Sequence, residues 1–92
     1  MLAGKSAVIT GASYGLGQVM SLALVTAGVR VYGIARSADL LDALAQDAKA
    51  RTGEDLFVPV PADLSTREGC DAALRQVKAN CEGVDILINN AG

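Results

Sequence analysis

Three glycines, Gly11, Gly15 and Gly17, fall directly after the apolar run Ser6–Thr10 and directly before apolar residues at helical spacing. Glycine weakens strand and helix alike. Such a cluster therefore marks a place where the backbone turns sharply or must be touched. A helix that follows a parallel strand presents unsatisfied N–H groups and the positive end of its dipole. With no side chain in the way, a pyrophosphate binds there. Gly11 permits the sharp exit from the strand, Gly15 admits phosphates to the backbone, and Gly17 lets the helix press against the sheet. Ser13 adds a hydroxyl donor. A phosphoryl-transfer loop would need Lys followed by Ser or Thr after the last glycine. Here Gln18 and Val19 follow Gly17, and the spacing is G-x-x-x-G-x-G. A glycine-rich turn with no ligand is the alternative reading.

A second place for chemistry is the end of the apolar run 29–35. An acid there would bind a free ribose 2′-hydroxyl and repel a 2′-phosphate. This chain has Ala35, then Arg36, whose guanidinium offers a fork of donors to a phosphate; Ser37 stands beside it. The alternative is a solvated arginine at a strand end. The sequence has no histidine and no cluster with metal-ligand spacing. Its cysteines, Cys70 and Cys81, lie eleven apart on one expected helix, about 16 Å along the axis, which is beyond disulfide reach. They read as buried structural thiols in a reduced, cytoplasmic setting.

The elements that position these residues alternate. The runs 6–10, 29–35, 56–62 and 84–88 read as strands. Between them, Leu16, Val19, Met20, Ala23, Leu24 and Ala27 form one helical face; Leu40, Leu41, Leu44, Ala45 and Ala48 form a second; Cys70, Ala73, Leu74, Val77 and Cys81 form a third. Gly28 and Gly53 suit helix C-caps. Ser37 caps the second helix with Asp39 in its first turn, and Ser65 to Glu68 has capping-box spacing. This is βαβαβαβ, and it predicts an α/β fold: a Rossmann-type doubly wound parallel sheet in the order 3-2-1-4, with helices on both faces. Pro59 and Pro61 support that order, because proline belongs on an edge strand. The fourth strand is almost wholly apolar and reads as a buried central strand. The chain stops four residues after it, so the sequence looks cut, with an apolar edge left open.

Residues 10–17, TGASYGLG, resemble the TGxxxGxG loop of the short-chain dehydrogenase/reductase family. So do ADL at 62–64 after the third strand and NNAG at 89–92 after the fourth. The resemblance spans the chain but only the cofactor half of that family's fold. It implies that residues 1–92 are the dinucleotide-binding half of one Rossmann domain whose catalytic half is absent. Gly11, Ser13, Tyr14, Gly15, Leu16 and Gly17 would surround the pyrophosphate of a nicotinamide dinucleotide. Asp63 would take a hydrogen bond from the adenine amino group, with Leu64 flanking the ring. Asn89 would lie near the adenosine ribose, and Asn89, Asn90, Ala91 and Gly92 would brace the sheet. Asp63 also reads as a helix-start residue beside Ser65, and the asparagines as turn residues. Arg36 and Ser37 resemble the NADP-preferring members. Tyr14 departs from them, since many carry a basic residue at that place. NADP is the expected cofactor and NAD the lesser choice.

The family's catalytic Ser and Tyr-x-x-x-Lys do not occur here. Tyr14 is followed four later by Gln18. Tyr32 is followed four later by Arg36, about 13 Å away on a strand, and Arg does not release its proton. The expected function is the cofactor-binding half of an NADP(H)-dependent oxidoreductase acting on a small-molecule carbonyl/alcohol pair, inactive as 92 residues. Its parent would be a homo-oligomer. The alternative is a non-enzymatic dinucleotide-binding module or sensor. Composition excludes other classes. Hydrophobic residues are 51% of the chain, aromatics 3%, and net charge is −2, with no basic stripe for nucleic acid. No apolar run reaches the ~18–20 residues of a membrane span, and no export signal follows Met1.

Overall fold

A computed structural model of the protein describes residues 2–13, 15–80 and 83–90. The elements run β1 (Ser6–Thr10), α1 (Gly15–Thr26), β2 (Arg30–Ala35), α2 (Ala38–Thr52), β3 (Phe57–Pro61), α3 (Arg67–Asn80) and β4 (Ile86–Asn89). The four strands form one parallel sheet in the order β3-β2-β1-β4, the order that the alternation and the two prolines predict. Ala62 N–H donates to Ala35 O at 2.9 Å. Strand N–H groups alternate in direction, so Pro59 and Pro61 fall on the outward parity of this edge strand, where no donor is needed.

The same alternation divides the core. Ala7, Ile9 and Val31 are buried with Val25 of α1 and Leu41, Leu44 and Ala48 of α2. Val8, Tyr32, Ile34 and Val60 are buried with Ala73 and Val77 of α3. Helices thus cover both faces. Each fully buried Leu, Ile or Val side chain contributes roughly 1.5–3 kcal/mol of transfer free energy, and β1 and β2 supply such residues to both sides.

Helix α1 turns a different face inward from the expected one. Gly17, Ser21 and Val25 are buried, while Leu16 and Val19 are 62% and 63% exposed and Ala23 and Ala27 are exposed. Met20, Leu22 and Leu24 are partly buried against the core. Apolar residues lie all around this helix, so periodicity does not select a face; close approach does. Gly17, with no side chain, begins the inward face, and the Ser21 hydroxyl on that face is satisfied by donating to Gly17 O at 2.8 Å.

Helix α2 follows its sequence signals. Ser37 Oγ accepts from Leu40 N–H at 3.3 Å, Asp39 lies in the first turn, and Gly53 closes the helix at φ 75° with its N–H on Lys49 O. Leu40, expected in the core, is 49% exposed. Leu40 and Leu41 are about 100° apart on the helix, and the sheet takes only Leu41. Helix α3 is capped by Thr66, whose Oγ1 accepts from Gly69 N–H at 3.0 Å; Ser65, the expected cap, is engaged elsewhere. Cys70 is exposed, with its thiol on Leu64 O at 3.3 Å, and Leu74 is exposed too. The reading of Cys70 as a buried thiol is thereby corrected; Cys81 lies outside the described residues. Strand β4 begins at Ile86 instead of 84 and is half-buried at the sheet edge, with Leu87 72% exposed. It pairs on one side with β1 alone among the described residues.

Candidate functional site at the carboxyl ends of the strands

The parallel strands end together at Thr10, Ala35, Pro61 and Asn89, which is where open α/β sheets place ligands. The glycine loop is tied across this end. Gly11 N–H donates to Ile34 O at 2.9 Å and Ala12 N–H to the same oxygen at 3.3 Å. Thr10 Oγ1 donates to Asn89 Oδ1 at 2.9 Å and accepts from Asn90 N–H at 2.9 Å. Asn90 Nδ2 lies 3.5 Å from Gly11 O. The first two residues of NNAG therefore lock the end of β4 to the end of β1 and to the start of the loop. Thr10 is the hinge of that lock, and its place between strand and glycine was the signal for it.

Two glycines of the loop do different work. A Cβ on Gly17 would strike the backbone oxygen of Gly11 and approach Asn90 Nδ2 to 2.9 Å; only glycine lets α1 start this close. Gly15 has φ +60°, and a Cβ there would meet nothing within 4 Å. The missing side chain at 17 is demanded by packing, and at 15 by backbone conformation with open space outside it.

Beside the loop is a cleft of about 420 Å³ lined by Gly11 and Ser13, by Ile34, Ala35, Arg36 and Ser37, by Leu40, and by Ala62, Asp63, Leu64 and Ser65. It gathers the sequence-derived residues Gly11, Ser13, Arg36, Ser37, Asp63 and Leu64 from three βα junctions. Gly15, Leu16, Gly17 and Asn89 stand outside its lining, and Tyr14, Ala91 and Gly92 lie outside the described residues. Leu40 and Ala62, not singled out in sequence, complete its apolar walls. Leu40 was legible only as one of two adjacent leucines that a single narrow stripe does not hold. Among the described residues, no group of His, Cys, Asp and Glu could hold a metal ion, and no helix is long and apolar enough to cross a membrane.

The cleft carries one anion and one cation. Asp63 Oδ1 accepts from the Ser65 hydroxyl at 2.6 Å and from Ser65 N–H at 2.9 Å. These bonds, the hydroxyl's first and the amide's second, hold the Asp63 carboxyl below its ordinary 3.8; the Arg36 charge adds a smaller pull in the same direction, against a small opposing effect of desolvation. A lowered folded pKa means that the charged form supports the local fold above the ordinary value. That support is lost as pH falls through the lowered one. The expected carboxyl-carbon NMR titration of Asp63 has its midpoint below 3.8, and Ser65→Ala moves it upward. An unchanged midpoint in the variant would remove the hydroxyl as the cause.

A family model described as short chain dehydrogenase matches residues 5–92. Dehydrogenase/reductase SDR family member 11 of Gallus gallus is 38% identical over 89 residues, which are 97% of this chain and 35% of that protein. The crystal structure of L-sorbose reductase from Gluconobacter frateurii, complexed with NADPH and L-sorbose, superposes with a TM-score of 0.90 at 38% identity, over 98% of this chain and 34% of that one. The 3-ketoacyl-(acyl-carrier-protein) reductase of Brucella melitensis, complexed with NADH, superposes with a TM-score of 0.84 at 31% identity, over 95% of this chain and 34% of that one. The chain spans about a third of the length of these relatives. The match along residues 5–92, with the parallel 3-2-1-4 sheet and the glycine loop behind it, means that the chain belongs to the short-chain dehydrogenase/reductase family.

Proposed function

We propose that these 92 residues are the dinucleotide-binding half of an NADP(H)-dependent oxidoreductase that acts on a carbonyl/alcohol pair. The observation that carries the reading is the cleft itself. Its lining comes from three βα junctions side by side, Gly11 and Ser13 after β1, Arg36 and Ser37 after β2, and Asp63 and Leu64 after β3, with β2 between β1 and β3 in the sheet. That order suits a ligand with a pyrophosphate, a 2′-phosphorylated ribose and an adenine, in that sequence. Leu40, Ala62 and Leu64 offer apolar walls to a flat ring, and Asp63 offers an acceptor to an amino group. Gly15, Leu16 and Gly17, in the first turn of α1, leave backbone N–H groups for the phosphates, while Gly11 lines the cleft with its own N–H on Ile34 O. Asn89, at the carboxyl end of β4, would lie near the adenosine ribose. A bound nicotinamide supplies or accepts the hydride. The chain's own residues bind and orient it; the proton of the carbonyl/alcohol pair belongs to the Tyr-x-x-x-Lys that the family places beyond NNAG.

The preference for the 2′-phosphate rests on Arg36. The acidic position at the end of β2 is Ala35, so nothing there repels a phosphate, and the exposed guanidinium follows it at the cleft. The relatives include a complex with NADPH and one with NADH; within one fold, this junction is where the choice is made. A charge-assisted contact of this type contributes roughly 1.5–3 kcal/mol, or about ten- to hundredfold in affinity. Calorimetric titration of the protein from the complete reading frame with NADPH and NADH is therefore expected to favour NADPH. Arg36→Ala should erase most of that margin while leaving NADH affinity close to its starting value. A wild type that prefers NADH, or a variant that keeps the preference, overturns the assignment.

A further inference from the structure

Asp63 and Ser65 both line the cleft. We propose that Ser65 is a positioning residue for base recognition: by holding Asp63 Oδ1 with two hydrogen bonds, it presents the other carboxylate oxygen to the exocyclic amino group of adenine. The inference rests on the reading that Asp63 meets that amino group.

Three observations support it. First, Ser65 gives Oδ1 both of its donors, the hydroxyl at 2.6 Å and the backbone N–H at 2.9 Å. Two bonds to one oxygen restrict rotation of the carboxylate. Oδ2 accepts no hydrogen bond from the described residues, which leaves it for a ligand donor. Second, Ser65 is not needed to start α3. Thr66 Oγ1 caps Gly69 N–H at 3.0 Å and donates to Asp63 O at 3.2 Å, and Thr66 N–H donates to the same carbonyl at 3.3 Å. The backbone of Asp63 is thus tied down by Thr66, and Ser65 acts on the side chain alone. Third, Asp63 is a carboxylate near neutrality, its carboxyl held below the ordinary value by the Ser65 bonds, and an ionised carboxylate is acceptor-only. It accepts from a 6-amino group and repels a 6-oxo group. The result is selection of adenine over hypoxanthine, set by the serine one place removed from the contact.

The test compares NADPH with its reduced hypoxanthine analogue, in which a carbonyl replaces the adenine amino group. Binding is measured by calorimetry on the protein from the complete reading frame, with circular dichroism to establish folding. Wild type is expected to prefer NADPH. Asp63→Asn, whose amide donates as well as accepts, should move the ratio of the two affinities toward the analogue. Ser65→Ala should lower the ratio about three- to tenfold, the range for one hydrogen bond, and Ser65→Thr should restore it. A merely structural serine would weaken both ligands equally and leave the ratio alone; that outcome overturns the inference while the Asp63 reading stands. If Asp63→Asn leaves the ratio unchanged, or wild type does not discriminate, the underlying reading of Asp63 fails and the inference fails with it.

Discussion

Gly17→Ala should unfold this chain's glycine loop, whereas Gly15→Val should leave the fold and destroy nucleotide binding. The two positions are separated by one residue, and the sequence reading gives Gly15 to the phosphates and Gly17 to helix–sheet contact. Their surroundings differ. The Cβ of an alanine at 17 would overlap the carbonyl oxygen of Gly11 and crowd Asn90 Nδ2. The first obstacle is backbone, held in place by the bonds of Gly11 and Ala12 to Ile34 O and by Asn90. It does not swing aside as a side chain would. Overpacking of this kind costs about 1–3 kcal/mol, and in a domain of this size each kcal/mol lowers Tm by roughly 4–8 °C. A Cβ at Gly15 meets no atom within 4 Å; the cost of a side chain there is the φ of +60°, about 1–2 kcal/mol for a residue with a Cβ. The valine then stands in the open space where phosphates would approach the N-terminus of α1. NADPH affinity is expected to fall more than a hundredfold in a protein with wild-type circular dichroism. Thermal melts and NADPH titrations of both variants are the check. A Gly17→Ala melt equal to wild type would mean that α1 does not need its close approach. Undiminished affinity in folded Gly15→Val would remove that glycine from the phosphate site.

Residues 1–92 by themselves should transfer no hydride to any ketone or aldehyde. Reduction of a carbonyl needs a proton donor beside the acceptor. The cleft's charged groups are Arg36 and Asp63. Arginine keeps its proton throughout the accessible range, and Asp63, whose carboxyl Ser65 holds below its ordinary 3.8, is a carboxylate near neutrality, so neither delivers a proton there. Tyr32 is fully buried within β2, on the side of the sheet that packs against α3. There is no histidine. The isolated chain should also self-associate. Strand β4 lies at the edge of the sheet among the described residues, with Leu87 of the strand and Val84 before it exposed, and an open apolar edge is a template for pairing with another copy. The experiment is expression of the 92 residues, sedimentation to find their assembly state, and an NADPH oxidation assay against a carbonyl panel. Turnover comparable to that of the protein from the complete reading frame would show that a residue assigned here to structure carries the proton.

Much of the architecture was legible because it depends on local chemistry. Alternating strands and helices, Ser37 and Gly53 as caps, and two prolines on an edge strand follow from backbone hydrogen bonding and dihedral preference, which each short segment carries within itself. Residues drawn from three separate motifs line one cleft, Gly11, Ser13, Arg36, Ser37, Asp63 and Leu64, because parallel strands deliver successive βα junctions to the same end of a sheet. What tertiary structure alone decided was which of several equivalent choices is used. Apolar residues lie all around helix α1, and the tertiary packing that brings Gly17 against Gly11 and Val25 into the core turned the Gly17, Ser21, Val25 face inward. Leu40 and Leu41 are chemically identical, yet one packs in the core and the other walls the cleft. Ser65 and Thr66 are both good caps. The geometry of the turn gave the helix to Thr66 and released Ser65 to Asp63. Composition and spacing set what each segment is able to do; packing against the rest of the chain settles which ability is used, because a contact exists only once both of its sides are in place.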